Sequence, residues 1–277
     1  MEAQKLRFSV LFSLYKGEKP SFLDEALASV FNQTVHANQV VVVKDGILTS
    51  DLEDILAKWK EKKNDQLDIL PLKQNVGLAT ALNAGLQICK HDWVARMDTD
   101  DIALRDRFEK QIKFIEDNPS IDVLGSWIME YDEKMQNKVG LRKVPTNHKE
   151  IYRFAKLRCP INHMTVFFRR DAVISHGGYP SVDPKTNIED YVLWATLLHK
   201  GLNFANIPQV LVNARTGKSL LSRRGGLSYQ RIENYYLKYL KNMGFLTVYE
   251  YYRNLLLRSI VRLAPQKLRG LVYKVIH

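Results

Sequence analysis

WVARMDTDD, Trp93 to Asp101, runs from a short β-rich signal straight into Asp98, Asp100 and Asp101. Three carboxylates this close, at the end of a strand, repel one another unless something neutralises them. A divalent cation is the usual counter-charge. Hard cations such as Mg²⁺ or Mn²⁺ take oxygen ligands and often share their coordination shell with substrate phosphates. Taken alone, the cluster reads equally as a solvated acidic loop, or as a helix N-cap supplied by Asp100 or Asp101.

Upstream of this stretch the chain alternates strand and helix signals. Phe8 to Leu14 predicts a strand, Pro20 to Gln33 a helix with proline in its first turn, and Gln39 to Val43 a β-branched strand closing on Lys44-Asp45-Gly46. A helix from Asp51 to Lys63 carries acid early and lysine late, as the helix dipole favours. Leu67 to Leu72 is a third strand, Leu78 to Cys89 a helix and Trp93 to Met97 the fourth strand. Such βα repeats imply parallel strands joined by right-handed crossovers, with ligands gathering at the strands' carboxyl ends. Tyr15, Asp45, Asn75 and the aspartate cluster all fall there. Downstream, helices are expected over Arg105 to Asp117, His148 to Ala155 and Asp190 to His199. Strands are expected within Ile121 to Val144, around a turn at Asp132 to Asn137, and over Thr165 to Phe168. From Ser219 onward the composition turns basic and aromatic. The boundary is placed at residue 216, giving a catalytic unit over 1–216 and a helical, basic extension over 217–277.

A chain of 277 residues with 45% hydrophobic and 26% charged residues has room for one main core. Its two cysteines, Cys89 and Cys159, lie far apart and suggest neither a disulfide framework nor a zinc site. No secretion signal or run of roughly 18 apolar residues is read, so a cytoplasmic protein is expected. The net charge of +11 calls for an anionic partner. Much of the excess sits in residues 231 to 277, where nine Lys or Arg face only Glu233 and Glu250. No GxGxxG, GxxxxGK[ST] or GxSxG occurs, which argues against dinucleotide oxidoreductases, P-loop enzymes and α/β-hydrolases. Nucleic-acid binding is disfavoured because the basic residues lie in an aromatic-aliphatic tail without a recognition motif.

Five motifs in order resemble glycosyltransferase family 2, whose domains have the GT-A fold, a Rossmann-like mixed sheet flanked by helices. They are SVLFSLYKGEKPSFLDEALASVFNQT (Ser9 to Thr34), VVVKDG (Val41 to Gly46), NVGLATALNAGL (Asn75 to Leu86), WVARMDTDDI (Trp93 to Ile102) and IEDYVLW (Ile188 to Trp194). The resemblance implies that Tyr15 and Glu18 lie near the nucleoside, that Asp45 meets the base, and that Asn75 and Gly77 shape the donor pocket. It implies a DxD motif in Asp98 and Asp100, holding the donor diphosphate through Mn²⁺ or Mg²⁺, with Asp101 addressing the sugar. Glu189 and Asp190 resemble the family's ED pair, in which the aspartate is the catalytic base. A single displacement inverts the anomeric centre, and a carboxylate within reach of the acceptor hydroxyl takes its proton. Two departures stand out: Lys44-Asp45-Gly46-Ile47 replaces the common Asp-Asp-Gly-Ser, and Ser13-Leu14 replaces the proline before the first motif's tyrosine.

Other candidates keep two readings. His163 is a phosphate or acceptor contact, or a hydrogen-bonded structural histidine. His199 is a metal ligand by resemblance, or a histidine suited to a helix C-terminus. The stretch RTGKSLLSRR, with Arg215, Arg223 and Arg224, is a basic lid over the diphosphate or a solvated loop. In the tail, Leu268, Leu271, Val272, Val275 and Ile276 form an apolar stripe, with Tyr252, Leu255 and Leu263 beside Arg258 and Arg262 upstream. These stripes either lie on an anionic membrane or pack on protein. The expected activity is inverting transfer of a hexose from a UDP-sugar to a lipid-diphosphate-linked saccharide in surface-polysaccharide synthesis (O-antigen, capsule or exopolysaccharide). Its expected place is peripheral, on the cytoplasmic face of the inner membrane. The rival is a non-catalytic sugar-nucleotide-binding protein, which should lack either the DxD or the base.

Overall fold

The computed structural model describes residues 6–181, 188–216 and 227–263. Strands β1 (Phe8–Leu14), β2 (Gln39–Lys44), β3 (Leu67–Pro71) and β4 (Trp93–Arg96) alternate with helices α1 (Pro20–Phe31), α2 (Ser50–Lys62) and α3 (Leu78–Ile88). They pair in parallel in the order β3-β2-β1-β4, so the first three crossovers are those the sequence predicts. Strict alternation along β1 sorts the layers. Phe8, Val10, Phe12 and Leu14 pack with α1, α2 and α4 (Arg107–Asp117), whereas Leu11 packs with α3 on the opposite face. Each such fully buried Phe or Leu contributes about 1.5–3 kcal/mol, which suits β1 to its interior place between β2 and β4.

Beyond β4 the sheet becomes mixed. β8 (Phe167–Arg169) runs antiparallel to β4, β6 (Val123–Tyr131) antiparallel to β8, and β9 (Phe204–Arg215) parallel to β6. The two-residue β5 (Ile102–Ala103) closes the edge on β9, and β7 (Lys138–Arg142) forms a hairpin with β6. α5 (His148–Ala155), α6 (Arg170–Ile174) and α7 (Glu189–His199) complete the layer that holds α3. β9 is absent from the sequence reading, and its interior Pro208 explains why: proline argues against a central strand. The register shift in the ladder supplies the accommodation. Ser126 pairs with Ile207 and Trp127 with Val210, so Pro208 and Gln209 bulge out to solvent.

The chain continues into a helical hairpin of α8 (Leu227–Asn242) and α9 (Val248–Leu263). Gly244, at φ +84°, ends α8. Thr247 and Glu250 form a reciprocal capping box at the start of α9, with Glu250 N donating to Thr247 Oγ1 (3.2 Å) and Thr247 N to Glu250 Oε2 (2.9 Å). Tyr236, Leu237, Leu240 and Phe245 are buried in the same apolar cluster as α5 and α7. Leu255 packs against that cluster too, and Arg258 turns inward to pair with Glu233 at 3.0 Å. For these two residues the packing alternative of the sequence reading applies, and neither belongs to an exposed stripe. The stripe over 268 to 276 lies outside the described residues. Among those described, no helix is long and apolar enough to cross a membrane.

Candidate active site

A cleft of about 670 Å³ opens where the parallel strands end, lined by Tyr15, Glu18, Asp45, Asn75, Gly77, Asp98, Asp100, Ser181 and Glu189 among others. Eight of the residues singled out from sequence therefore converge, although the chain separates Tyr15 from Glu189 by most of its length. Asp45, at the end of β2, is buried and turned onto the start of α3. Its Oδ1 accepts from Val76 N at 2.7 Å, and its Oδ2 accepts from Gly77 N at 3.1 Å and Asn75 Nδ2 at 3.0 Å. Donors that the helix cannot satisfy internally are thus met by a carboxylate. The two glycines permit this closeness: Gly77 has φ +85° as the N-cap, and Gly46 has φ +90° with a notional Cβ only 2.6 Å from Asn75 N. Lys44 does not reach the cleft carboxylates but pairs with Glu53 at 2.5 Å.

The acidic loop leaves β4 with carboxylate oxygens of Asp98, Asp100 and Asp101 all within 4.8 Å of one another. Burial, then the neighbouring Asp98 and Glu18, push the Asp100 carboxyl up to about 7. Burial, Asp98 and Asp100 hold Asp101 well above the ordinary carboxylate range. Asp101 Oδ1 accepts from Arg215 N at 2.9 Å, and its buried Oδ2 has no hydrogen-bond partner among the described residues. Three crowded oxygen donors, one of them orphaned, fit a hard divalent cation. Thr99 ties the loop to the first motif, its Oγ1 donating to Glu18 Oε2 at 2.5 Å while Glu18 Oε1 accepts from Lys19 N.

Two arginines that the sequence reading missed hold this loop from below. Arg96, the last residue of β4 and almost fully buried, pairs with Asp98, and its Nε and Nη1 have no partner among the described residues. Arg107, wholly buried on α4, donates to the Arg96 carbonyl at 2.8 Å and to Met97 Sδ at 3.0 Å. A cation ending an otherwise apolar strand, one residue before Met97 and the cluster, was the available signal for Arg96. Arg107 gave none, because its charge disguises a core position.

Arg215 is not a lid residue. Its Nη1 donates to the Asp100 carbonyl, Nη2 to Glu25, and Nε to the Glu133 carbonyl at 3.2 Å, while the guanidinium stacks 4.1 Å from the Phe22 ring. It works as a buried strut under the acidic loop. Arg223 and Arg224 lie outside the described residues. His199 is corrected as well: it ends α7, exposed and packed on Phe245, one helix length of roughly 15 Å from Glu189, whereas the described cluster able to hold a metal is the aspartate triad. His163 takes the structural reading. Its Nε2 meets the Tyr179 hydroxyl at 2.9 Å, its ring lies against Trp194, and burial, helped by the positive charge of Arg96, holds it well below an ordinary histidine.

Glu189 and Asp190 open α7. Glu189 lines the cleft, and burial raises its carboxyl. Asp190 lies behind it, half-buried, with Oδ1 accepting from Tyr191 N at 2.7 Å and Oδ2 3.7 Å from Cys159 Sγ. Burial and then Glu189 raise it to about 6, offset in part by the Tyr191 amide and Arg96.

The sequence pattern that defines glycosyl transferase family 2 matches residues 9–177, spanning the parallel strands and the acidic loop. The chain belongs to glycosyltransferase family 2. This glycosyltransferase is 40% identical over 270 residues to the amylovoran biosynthesis glycosyltransferase AmsE of Erwinia amylovora, covering 96% of this chain and 98% of that one. It is 36% identical over 268 residues to a UDP-Gal:alpha-D-GlcNAc-diphosphoundecaprenol beta-1,3-galactosyltransferase of Escherichia coli, covering 97% and 95%. The crystal structure of S. aureus TarS in complex with UDP-GlcNAc superposes with a TM-score of 0.66 at 19% identity, over 92% of this chain and 73% of that one. That likeness concerns the fold, and the expected GT-A architecture is the one observed.

Proposed function

We propose that this enzyme transfers a hexose from a UDP-sugar to a saccharide carried on a lipid diphosphate, with inversion at the anomeric carbon, in the synthesis of a surface polysaccharide. The observation that carries the reading is that Asp98 and Asp100 of the aspartate triad line one cleft with Glu189, with Asp190 next to Glu189 at the start of α7. A sugar-nucleotide-binding protein without activity needs the first group and not the second. The relatives in amylovoran synthesis and in galactose transfer to a diphosphoundecaprenol acceptor support the class of acceptor.

Asp45 supports uracil as the base. An ionised carboxylate offers about four lone-pair sites, and three are taken by Val76, Gly77 and Asn75. The remaining site suits one ring N–H, as uracil presents, better than the paired donors of guanine. Tyr15 offers its exposed ring as the wall beside the nucleoside. Asp98 and Asp100 would hold a divalent cation, Mn²⁺ or Mg²⁺, and that ion would supply positive charge against the negative charge that grows on the leaving UDP. Glu189 faces the hydroxyls of the transferred sugar from the cleft wall, whereas Asp101, expected to address the sugar, is buried against Arg215 N outside the cleft lining. Asp190 accepts the proton of the attacking acceptor hydroxyl as the new C1–O bond forms and the bond from C1 to the phosphate oxygen breaks, with its electron pair leaving on UDP. An α-linked donor then yields a β-glycoside. The acceptor places the enzyme at the cytoplasmic face of the inner membrane, against anionic lipid.

The decisive experiment is a screen of UDP-, GDP- and dTDP-sugars with Mn²⁺, using a short-chain lipid-diphosphate saccharide as acceptor and NMR of the product linkage. Turnover of a UDP-hexose to a β-linked product is expected. Turnover with GDP-sugars alone, or an α-linked product, overturns the proposal.

A further inference from the structure

The hairpin of α8 and α9 turns one face into the core and the other, of unusual composition, to solvent. On α9, Tyr249 (74% exposed), Tyr252, Leu256 (63%) and Ile260 recur at i, i+3, i+7 and i+11, a continuous apolar stripe. On α8, Tyr235 and Tyr239 are exposed at i and i+4, with Arg231 and Lys238 on the same helix face. The two helices lie side by side, joined by Gln230 Nε2 donating to Ser259 Oγ at 2.7 Å.

The charges of the hairpin are sorted as well. Its described acidic residues are turned away from the face: Glu233 is buried against Arg258, and Glu250 pairs with Lys156 at 2.8 Å. What remains outside is aromatic, aliphatic and cationic. A soluble monomer rarely exposes a contiguous apolar stripe of this kind without a partner for it.

We infer that this face of α8 and α9 is a docking surface for an anionic lipid bilayer. Tyrosines are suited to the headgroup level, aliphatic side chains to the acyl boundary, and lysine and arginine to anionic headgroups. Charge complementarity disfavours the obvious rival, a second copy of the chain, because each copy carries a net charge of +11 and would offer the same cationic face. The purpose of the face rests on the lipid-borne acceptor proposed above, whereas its evidence is independent of that reading. The face shares Tyr252 with the stripes anticipated from spacing and otherwise falls on residues that spacing did not single out.

The test is co-sedimentation of the full chain with vesicles of phosphatidylcholine containing phosphatidylglycerol, and with phosphatidylcholine alone. Alongside run Tyr249→Ser/Tyr252→Ser/Leu256→Ser and Arg231→Glu/Lys238→Glu. The intact protein should bind the mixed vesicles and bind pure phosphatidylcholine weakly. The apolar variant should lose about tenfold or more on the mixed vesicles, and the charge variant should lose the anionic preference. Calorimetry with UDP-sugar and Mn²⁺ should give unchanged donor affinity, which separates failure of the docking face from failure of the donor assignment. The proposal is overturned if both variants sediment like the intact chain, or if the intact chain ignores mixed vesicles. It is also overturned if the intact chain is a dimer that the apolar variant converts to a monomer, since the occupant is then a second copy. Should the apolar variant aggregate, the charge variant decides, because its substitutions lie on exposed positions outside the core.

Discussion

Replacing Asp190 with asparagine should slow the enzyme and stabilise it at once. The carboxyl rises from an ordinary 3.8 to about 6, chiefly through burial. A displacement of about two units corresponds to about 3 kcal/mol against the ionised form, and partial exposure of the group reduces this to about 1–2 kcal/mol. The sign follows from the raised value. The benign state of Asp190 is the protonated one, present below pH 3.8 and lost as pH climbs through 6, so the folded protein bears the penalty above that pH. Asparagine keeps the bond its Oδ1 accepts from Tyr191 N and carries no charge. At pH 7.5 the variant should therefore melt higher by about 2–4 °C per kcal/mol, with the gap closing as both proteins are taken towards pH 4. Meanwhile kcat should fall by about 10²–10⁴, since an amide accepts no proton. In the wild type, kcat/KM should decline below a pKa of about 6. The assays are paired melts across pH and initial rates at saturating donor. A variant with wild-type kcat refutes the base assignment, and collapse of kcat in Glu189→Gln alone transfers the role to the neighbour. A variant no more stable than wild type at pH 7.5 refutes the electrostatic argument even if catalysis fails.

Excess EDTA should abolish transfer and Mn²⁺ restore it, and Asp100→Ala should weaken metal-dependent donor binding by calorimetry while leaving the melting temperature nearly unchanged; full turnover in EDTA would contradict the metal reading. Asp45→Ala strands two backbone amides at the start of α3 and removes hydrogen bonds to a charged group, a loss of about 3 kcal/mol or more, visible as a lower denaturant midpoint together with lost UDP binding. Arg215→Met should cost about 1–3 kcal/mol and raise the Mn²⁺ concentration needed for half-maximal rate, because the acidic loop loses its strut. Unchanged metal dependence in that variant would mean that the loop holds its shape alone.

The βα units were legible because each carries a self-contained signal. β1 falls on its predicted residues, and the early helices end within about two residues of the expected positions. Position in space was legible only where topology supplies it: Tyr15, Asp45, Asn75 and Asp98 meet because parallel strands bring their carboxyl ends to one edge. Contacts across long separations were not legible. Arg215 reads as part of a basic loop until β9 is seen to carry it beneath Asp100, and β9 was hidden by Pro208, which only the bulge opposite Ser126 and Trp127 accommodates. Arg107 reads as a solvated helix residue, and its burial follows from a partner, the Arg96 carbonyl, that no periodicity announces. His199 and His163 fell to local chemistry of two kinds, helix polarity for one and an aromatic cluster for the other.

α9 bears on anyone who shortens this chain to obtain a better-behaved protein. Asn254 Nδ2 donates to the Lys156 carbonyl at 2.6 Å and Arg258 to the Leu157 carbonyl, two residues before the cysteine that faces Asp190. Tyr191, adjoining that aspartate in sequence, packs its ring 4.3 Å from that of Tyr236 on α8 in a tilted arrangement. The hairpin is thus a back wall for Asp190, the proposed base, as well as an outer surface. A chain cut near residue 246 should still bind donor, since the aspartate triad and Asp45 take no support from the hairpin, yet it should turn over slowly even on a water-soluble acceptor. Loss of rate after such a cut would report a slackened base and not a missing membrane, and only substitutions confined to the outer face of the hairpin separate the two.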